Sequence, residues 1–471
     1  MTVTHMPKHY YDVLVLGSGP AGYVCAIRAA QLGLDVALIE REKVGGICLN
    51  VGCIPTKSLL KSAEIAHLLK EKGSLFGFSF EHLKLDYASA VKRSRENSSK
   101  LTEGLKVLLK RNHVNVIEGE ATILGPGKVV VIDSSSCRKS YFSNHLVIAV
   151  GASAIMPVHW KVDDNVLTYN EAIVQETLPK SVVIVGSGAI GLEFATIWNA
   201  YGTKVTIIEM AERIAPLEDE EISSSLKKEL HNRGIETLTG LAVKSIERVG
   251  KVLRVHSEGA GKTAVIEGEQ VLVAIGFKPN TANIGLESIG LGSMTGSCIQ
   301  TDEYMATSVP GVWAVGDVTA KMMLAHVGFA QGTLCAEKIG KLEPKLIDYH
   351  AIPHAIYSIP QVASFGYTES QARDVFKQIK VGKVRFSGNG KAVGSGEDQG
   401  WVKLVFEGER NQLVGAHLIG SDVSELLPEL TLAKTLEATM EDISQNIHAH
   451  PTLSEILREA ALSASGAALH G

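Results

Sequence analysis

Short aliphatic runs that end on glycine set the rhythm of this chain. Tyr11-Asp12-Val13-Leu14-Val15-Leu16 predicts a first strand, and Leu146-Val147-Ile148-Ala149-Val150-Gly151 a buried one. Runs of the same form lie at 271–276 and 312–317. Strands apolar on both faces belong to parallel sheets covered on both sides. Leu59, Ala63, Ala66 and Leu69 recur at helical spacing and predict a helix over about 56–72. A second helix is expected from Tyr87 to Arg111, and Gly125-Pro126-Gly127 predicts a tight turn into a strand over 129–132. From about Tyr349 the pattern changes. Strands at 381–386, 402–406 and 414–419 precede helices at 423–437 and 452–464, an α+β region without a nucleotide turn.

One pattern occurs twice. Residues 15–40 read VLGSGPAGYVCAIRAAQLGLDVALIE, and IVGSGAIGLEFATIWNAYGTKVTIIE ends at Glu209. Each is a strand, a G-x-G-x-x-G turn, a helix, a second strand and a closing glutamate. Gly17 to Glu40 and Gly186 to Glu209 both span 23 positions, so the repeat keeps register. Glycines at 17, 19 and 22 let backbone amides at a helix start approach a pyrophosphate, and Glu40 can accept from ribose hydroxyls. Gly186, Gly188, Gly191 and Glu209 form a second such site. An acidic residue there accepts from a free 2′-hydroxyl and repels a 2′-phosphate, which favours NAD over NADP.

Length and composition narrow the class. A chain of 471 residues should hold about three domains. Its net charge of −5, without a long basic block, argues against nucleic acid as a main partner. No apolar run approaches the ~18 residues of a membrane span, and the first residues lack the apolar core of a secretory signal. Six cysteines are too few for a disulfide scaffold and fit a reducing cytoplasm, where a disulfide is catalytic or redox-sensing.

Two of those cysteines stand five apart in Gly45-Gly46-Ile47-Cys48-Leu49-Asn50-Val51-Gly52-Cys53-Ile54-Pro55-Thr56-Lys57. In a regular helix such a pair is ~7.5 Å apart along the axis. A disulfide needs Cα atoms within roughly 4.4–6.8 Å. Bonding Cys48 to Cys53 therefore requires backbone that departs from a helix, and Gly52 permits it. Two packed thiols or half a metal site are the alternatives, but no second close cysteine pair supplies further ligands in sequence. Cys25, Cys137, Cys298 and Cys335 read as packing thiols. Near the end, His448-Ala449-His450-Pro451-Thr452-Leu453-Ser454-Glu455 offers a histidine that can take a thiol proton and a carboxylate that can orient it. Thr452 with Glu455 also fits a helix capping box, and His-x-His could be a metal pair, although no further ligands accompany it. No metal site is expected.

These motifs together resemble the dimeric pyridine nucleotide-disulfide oxidoreductases along the whole chain. The resemblance rests on residues 45–57, both fingerprints, Ala314-Val315-Gly316-Asp317 and residues 448–455. It implies an α/β fold with two Rossmann-like FAD- and NAD-binding domains and a C-terminal α+β dimerisation domain. The expected bounds are 1–150 for FAD, 151–276 for NAD, 277–346 for a central domain completing the FAD site, and 347–471 for the interface. By the same resemblance, Gly17, Gly19, Gly22, Glu40, Lys57, Gly151, Asp317 and Ala325 would hold FAD. Gly186, Gly188, Gly191, Glu193, Glu209 and Gly276 would serve NAD. Cys53 would face the flavin and Cys48 would exchange with substrate. Lys57 would pair with Glu193. His450, held by Glu455, would act on the disulfide of a partner copy, so the homodimer would share its active sites.

The implied reaction is oxidation of dihydrolipoyl groups with NAD⁺. Its partners would be lipoyl domains of 2-oxo acid dehydrogenase or glycine-cleavage complexes. The tail lacks a cysteine pair, and Glu209-Met210-Ala211 stands where NADPH-using members place basic residues. An NADH-linked reductase of another disulfide or quinone is the alternative, and a non-catalytic scaffold is disfavoured by the intact motifs. No room remains before Asp12 for a fused lipoyl domain. Three positions depart from the family pattern: Val150, Gln331 and Gln361. They concern strand ends and cofactor lining rather than the redox centre.

Overall fold

The computed structural model describes residues 9–160, 165–259, 261–291 and 297–470. Of Met1–Tyr11, the start read above as lacking a signal core, residues 1–8 lie outside the described residues. The chain forms two compact units, one of Met1–Ser58, Ser89–Ile155 and Gly276–Ile347, the other of Leu59–Ala88, Met156–Ile275 and Asp348–Gly471.

The first unit is built on a seven-stranded sheet. Asn115–Glu118, Val36–Glu40, Tyr10–Leu16 and Arg138–Ile148 lie side by side in parallel, and Val312–Ala314 joins Arg138–Ile148. Lys128–Ile132 and Glu120–Gly125 extend the other edge as an antiparallel hairpin about Pro126, as the glycine-flanked turn predicts. Val13, Leu14 and Val15 are fully buried, which accounts for the unbroken apolar run. The helices Pro20–Gln31 and Ala325–Ile339 pack on one face through Cys25, Ala29, Leu334 and Cys335. Gly332 permits that approach, because a Cβ there would collide with the Ala21 carbonyl oxygen.

The second unit contains the repeat of this plan. Glu236–Leu238, Lys204–Ile208, Ser181–Val185, Gln270–Val273 and Val166–Leu167 make a parallel sheet. A three-stranded antiparallel sheet, Ala242–Val249, Val252–Gly259 and Lys262–Gly268, follows. Residues 354–420 supply a five-stranded antiparallel sheet ordered His354–Ile356, Gln361–Gly366, Leu413–Gly420, Trp401–Glu407, Ile379–Arg385. Its apolar face, with Phe365, Phe386, Leu404, Phe406 and Leu418, is covered by Leu430, Met440, Leu457 and Ala460 from the C-terminal helices.

Helix boundaries differ from expectation in three places, the first being 423–437, which is 3-10 over Val423–Leu426 and α-helical only over Leu427–Thr435. The helix expected over 56–72 begins at Cys53 and is α-helical to His67, after which Leu68–Lys72 widens to a π-helix. The one expected over 452–464 is helical only from Glu455 to Ala464, because Thr452 and Pro451 form its lead-in. The helix Tyr87–Arg111 matches its prediction.

Candidate active site

Cys48 and Cys53 form a disulfide with Cα atoms 4.6 Å apart. The departure from helix that the spacing demands is local. Gly46–Asn50 is one helix, Val51 and Gly52 break it, and Cys53 opens the next. Gly45 (φ 100°) and Gly46 (φ 60°) turn the chain into the first of these, in a region that favours glycine. Asn50 fixes the bend, since its Nδ2 donates to the carbonyls of Val44 (3.0 Å) and Gly46 (2.9 Å). Its own carbonyl accepts from Arg95 Nη1 at 2.5 Å. Thr56 Oγ1 donates to Gly52 O at 2.7 Å, closing the start of the second helix. Asn50 and Arg95 are functional neighbours that the cysteine spacing alone did not single out.

The first fingerprint sits directly against this segment. Gly17 (φ 99°) makes the turn, and a Cβ on Gly22 would strike the Gly17 carbonyl oxygen. Gly19, by contrast, opens onto empty space, leaving the backbone at the helix start approachable. Ser18 is the hub that G-x-G-x-x-G leaves unspecified. Its amide (2.9 Å) and its hydroxyl (2.5 Å) donate to Glu40 Oε2, while Glu40 Oε1 accepts from the Glu42 amide at 2.9 Å. The Gly45 amide then donates to Ser18 Oγ at 3.1 Å, joining the nucleotide turn to the redox helix.

The second fingerprint repeats this wiring. Ser187 donates to Glu209 Oε2 from its amide (2.8 Å) and hydroxyl (2.7 Å), and Glu209 Oε1 accepts from the Ala211 amide (2.8 Å). Gly186 (φ 103°) turns the chain, Gly188 is open, and a Cβ on Gly191 would meet the Gly186 carbonyl. The Ala215 amide takes the part of Gly45, donating to Ser187 Oγ at 3.2 Å. A carboxylate has about four acceptor positions, so each glutamate retains capacity for ribose hydroxyls. Glu193, on the helix Ala189–Ala200, is 3 % exposed and accepts from the Tyr357 amide at 3.1 Å. Lys57 belongs to the first unit and Glu193 to the second.

Asp317 opens a short turn behind Gly316 (φ 78°). Its carboxyl has no hydrogen-bond partner among the described residues, and burial pushes its pKa up to about 6. An unsatisfied, half-buried carboxyl of this kind fits a hydroxyl-bearing ligand. Gln331 is fully buried and its Oε1 accepts from the Gly316 amide at 2.7 Å. A neutral amide does there what a carboxylate would, without adding charge beside Asp317. Ala325 starts its helix after Leu324, and Gly151 (φ 69°) and Gly276 (φ 118°) end their strands. Of the other departures, the Val150 carbonyl accepts from Asn280 Nδ2 (3.0 Å) and Gln361 Oε1 from the Ser424 amide (3.4 Å).

His450 and Glu455 are paired in the second unit. Nδ1 of His450 donates to Glu455 Oε1 at 2.9 Å, which leaves Nε2 outward on a ring 77 % exposed. Glu455 Oε2 also accepts from the Thr452 amide at 2.8 Å. That bond and the one from His450 hold its carboxyl below the usual range. The capping box is half formed, because Thr452 Oγ1 turns away to Ala449 O (2.7 Å). His448 makes its own carboxylate pair, with Glu429 Oε1 at 2.9 Å. Among the described residues no group of histidines, cysteines and acids could hold a metal ion, and no helix is long and apolar enough to cross a membrane. Cys25 and Cys335 are adjacent in the core, where burial, then the neighbouring thiol, raise Cys335 well above its ordinary pKa. Both behave as packing thiols.

Residues 11–332 match the pyridine nucleotide-disulphide oxidoreductase family, and 352–461 match that family's dimerisation domain. The chain belongs to this family of oxidoreductases, and its dimerisation domain supports a homodimer. It is 43% identical over 466 residues to a dihydrolipoyl dehydrogenase of Corynebacterium glutamicum, covering 98% of this chain and 99% of the relative. The dihydrolipoyl dehydrogenases of Mycobacterium leprae (43%, 96% and 97% covered) and Bacillus subtilis (38%, 98% and 99% covered) are similar over nearly the same span. Among solved structures, LpdA from Mycobacterium tuberculosis superposes with a TM-score of 0.88 at 24% identity, covering 96% of this chain and 99% of that one. The flavoprotein disulfide reductase RclA from Escherichia coli, as a Cu(II) complex, superposes with a TM-score of 0.86 at 25% identity, with 97% and 99% covered.

Proposed function

We propose that the chain is an NAD-dependent dihydrolipoyl dehydrogenase, serving lipoyl domains in the cytoplasm as a homodimer with shared active sites. The observation that carries this is the Cys48–Cys53 disulfide hydrogen-bonded, through Gly45 and Ser18, into the first of two duplicated dinucleotide turns. FAD, held by Gly17, Gly19, Gly22, Glu40, Gly151, Asp317 and Ala325, supplies when bound a two-electron carrier between the cysteine pair and NAD⁺. Gly186, Gly188, Gly191, Gly276 and Glu209 receive NAD⁺, with Glu209 accepting from the free 2′-hydroxyl.

The residues divide the thiol chemistry as follows. Nε2 of His450, from the second copy, takes the proton of one substrate thiol, and Glu455 holds the ring at Nδ1. The thiolate attacks Sγ of Cys48, the Cys48–Cys53 bond breaks, and Cys53 leaves as thiolate. The second substrate thiol attacks the same mixed disulfide, closing the lipoyl disulfide and returning Cys48 as a thiol. The substrate has then lost two electrons to the cysteine pair and two protons, one now on His450 and one on Cys48. Anaerobic NAD⁺ reduction by dihydrolipoamide tests the reading, with NADPH plus oxidised glutathione and NADH plus quinone as contrasts. Fast NAD-specific turnover with dihydrolipoamide is expected, and activity confined to a contrast pair would overturn it.

A further inference from the structure

A row of polar residues crosses the buried antiparallel sheet on the face away from its apolar core. Ser364, His417, Lys403 and Lys383 are register partners on four successive strands. Lys403 is 2 % exposed, unusual for a lysine, and the acidic stretch Glu218–Glu221 from the nucleotide-binding repeat docks on this row. Ser364 Oγ donates to Glu218 Oε2 at 2.6 Å. Lys403 Nζ donates to Asp219 Oδ1 (2.8 Å), Glu221 Oε2 (2.8 Å) and Glu369 Oε2 (3.2 Å). Lys383 Nζ donates to Glu221 Oε1 at 2.6 Å. Burial disfavours the Lys403 ammonium, but its hydrogen bonds with Asp219 and Glu221 outweigh that and raise its pKa. Burial lowers that of His417, so the neutral ring donates from Nε2 to Tyr367 O at 2.9 Å.

The docked stretch ends the loop that closes on the second fingerprint. Asp219 caps the helix Glu220–Asn232 through the Glu221 amide (3.0 Å). The Glu218 amide donates to Ala215 O at 3.0 Å, and Ser223 Oγ to the same carbonyl at 3.2 Å. Ala215 is held at φ 44°, where a residue with a Cβ rarely sits, and in that pose its amide reaches Ser187. Arg213 Nη2 ties the loop on itself through Pro216 O (3.1 Å) and Glu218 O (3.3 Å). Ser187 in turn orients Glu209. In the first fingerprint the corresponding clamp, Gly45, comes from the adjoining redox segment, whereas the second uses Ala215, on a loop braced by a sheet distant in sequence.

We infer that Lys403 is a positioning residue for the NAD site, fixing the 210–219 loop so that Ser187 and Glu209 stand ready for the adenosine ribose. This rests on the reading of that fingerprint as the NAD site. Without its ammonium, Asp219 is left buried with no counter-charge, while Glu369 keeps only Arg373, and the loop is released. The test uses Lys403→Met holoenzyme, titrated calorimetrically with NAD⁺ and followed by stopped flow for flavin reduction by dihydrolipoamide. The Kd for NAD⁺ should rise about tenfold or more, while the thiol-driven half-reaction stays within about twofold. An unchanged Kd, or equal losses in both readouts, would overturn the inference. Should that variant fail to fold, Glu221→Gln, at the solvent edge of the cluster, should weaken NAD⁺ binding severalfold and spare the half-reaction. No shift in Kd there would likewise overturn it. A wild-type enzyme that does not bind NAD⁺ would sink the parent reading itself, a different outcome from a binding wild type with an unshifted variant.

Discussion

Removing one sulfur separates the two halves of the site. Cys48→Ser should abolish NAD⁺ reduction by dihydrolipoamide while the purified protein stays yellow with FAD, since Ser18, Glu40 and Asp317 are untouched. Spectral loss of flavin together with activity would contradict the division of labour between fingerprint and cysteine pair. His450→Gln should lower kcat at least ~10²-fold, the scale for loss of a general acid–base group. Activity within a few-fold of wild type would remove His450 from the mechanism. The cysteines, the glycines and the His450–Glu455 spacing were all legible in the sequence because their chemistry dictates residue type. Ser18, Ser187, Asn50 and Arg95 were not. The fingerprint leaves its second position free, and only the fold shows that a hydroxyl there binds the closing glutamate. Lys403 and His417 were hidden for another reason: a lysine in an apolar strand reads as solvent-facing until the strand opposite and the acidic stretch above it are in place.

At the scale of elements, the tight turns make the most exacting demands. Gly22→Ala and Gly191→Ala each place a methyl against a backbone carbonyl, and neither turn can yield without moving its helix. The first should cost FAD retention and the second NAD⁺ affinity, measured by flavin content and by titration; swapped effects would reverse the assignment of the two sites. Asp317 adds a pH signature to the apoprotein. Its pKa is raised by burial to about 6, so the folded state favours the protonated carboxyl. Stability linked to this group is therefore full below the unfolded value of about 4 and is lost as pH rises through about 6. Asp317→Asn should flatten that loss in apoprotein melting curves between those limits and also weaken FAD binding. A variant whose melting follows the wild-type pH dependence would show that the carboxyl does not carry it. The parallel strands were foreseen because burial on both faces leaves an unbroken apolar run. The Ala242–Gly268 sheet was not, since its solvent face carries pairs such as Arg254–Glu267 that read as loop-like polarity. The widening to a π-helix at Leu68–Lys72 was not foreseen either, because Leu69 still falls at α-helical spacing.

For the whole molecule, the decisive feature is that the proposed acid–base pair, His450 and Glu455, and the disulfide come from opposite ends of the chain. His450 Nε2 is exposed in the single copy, and the region that carries it matches a dimerisation domain. The shared-site proposal has this Nε2 act on the disulfide of a second copy. Subunit complementation tests this claim most directly. Cys48→Ser and His450→Gln chains, each inactive as a homodimer, are co-expressed with different tags and the heterodimer is purified. One of its two sites then combines an intact Cys48 with an intact His450 from across the interface, so about half the wild-type rate per dimer should return. A heterodimer as inactive as its parents would mean that each site is completed within a single chain, contradicting the shared-site account.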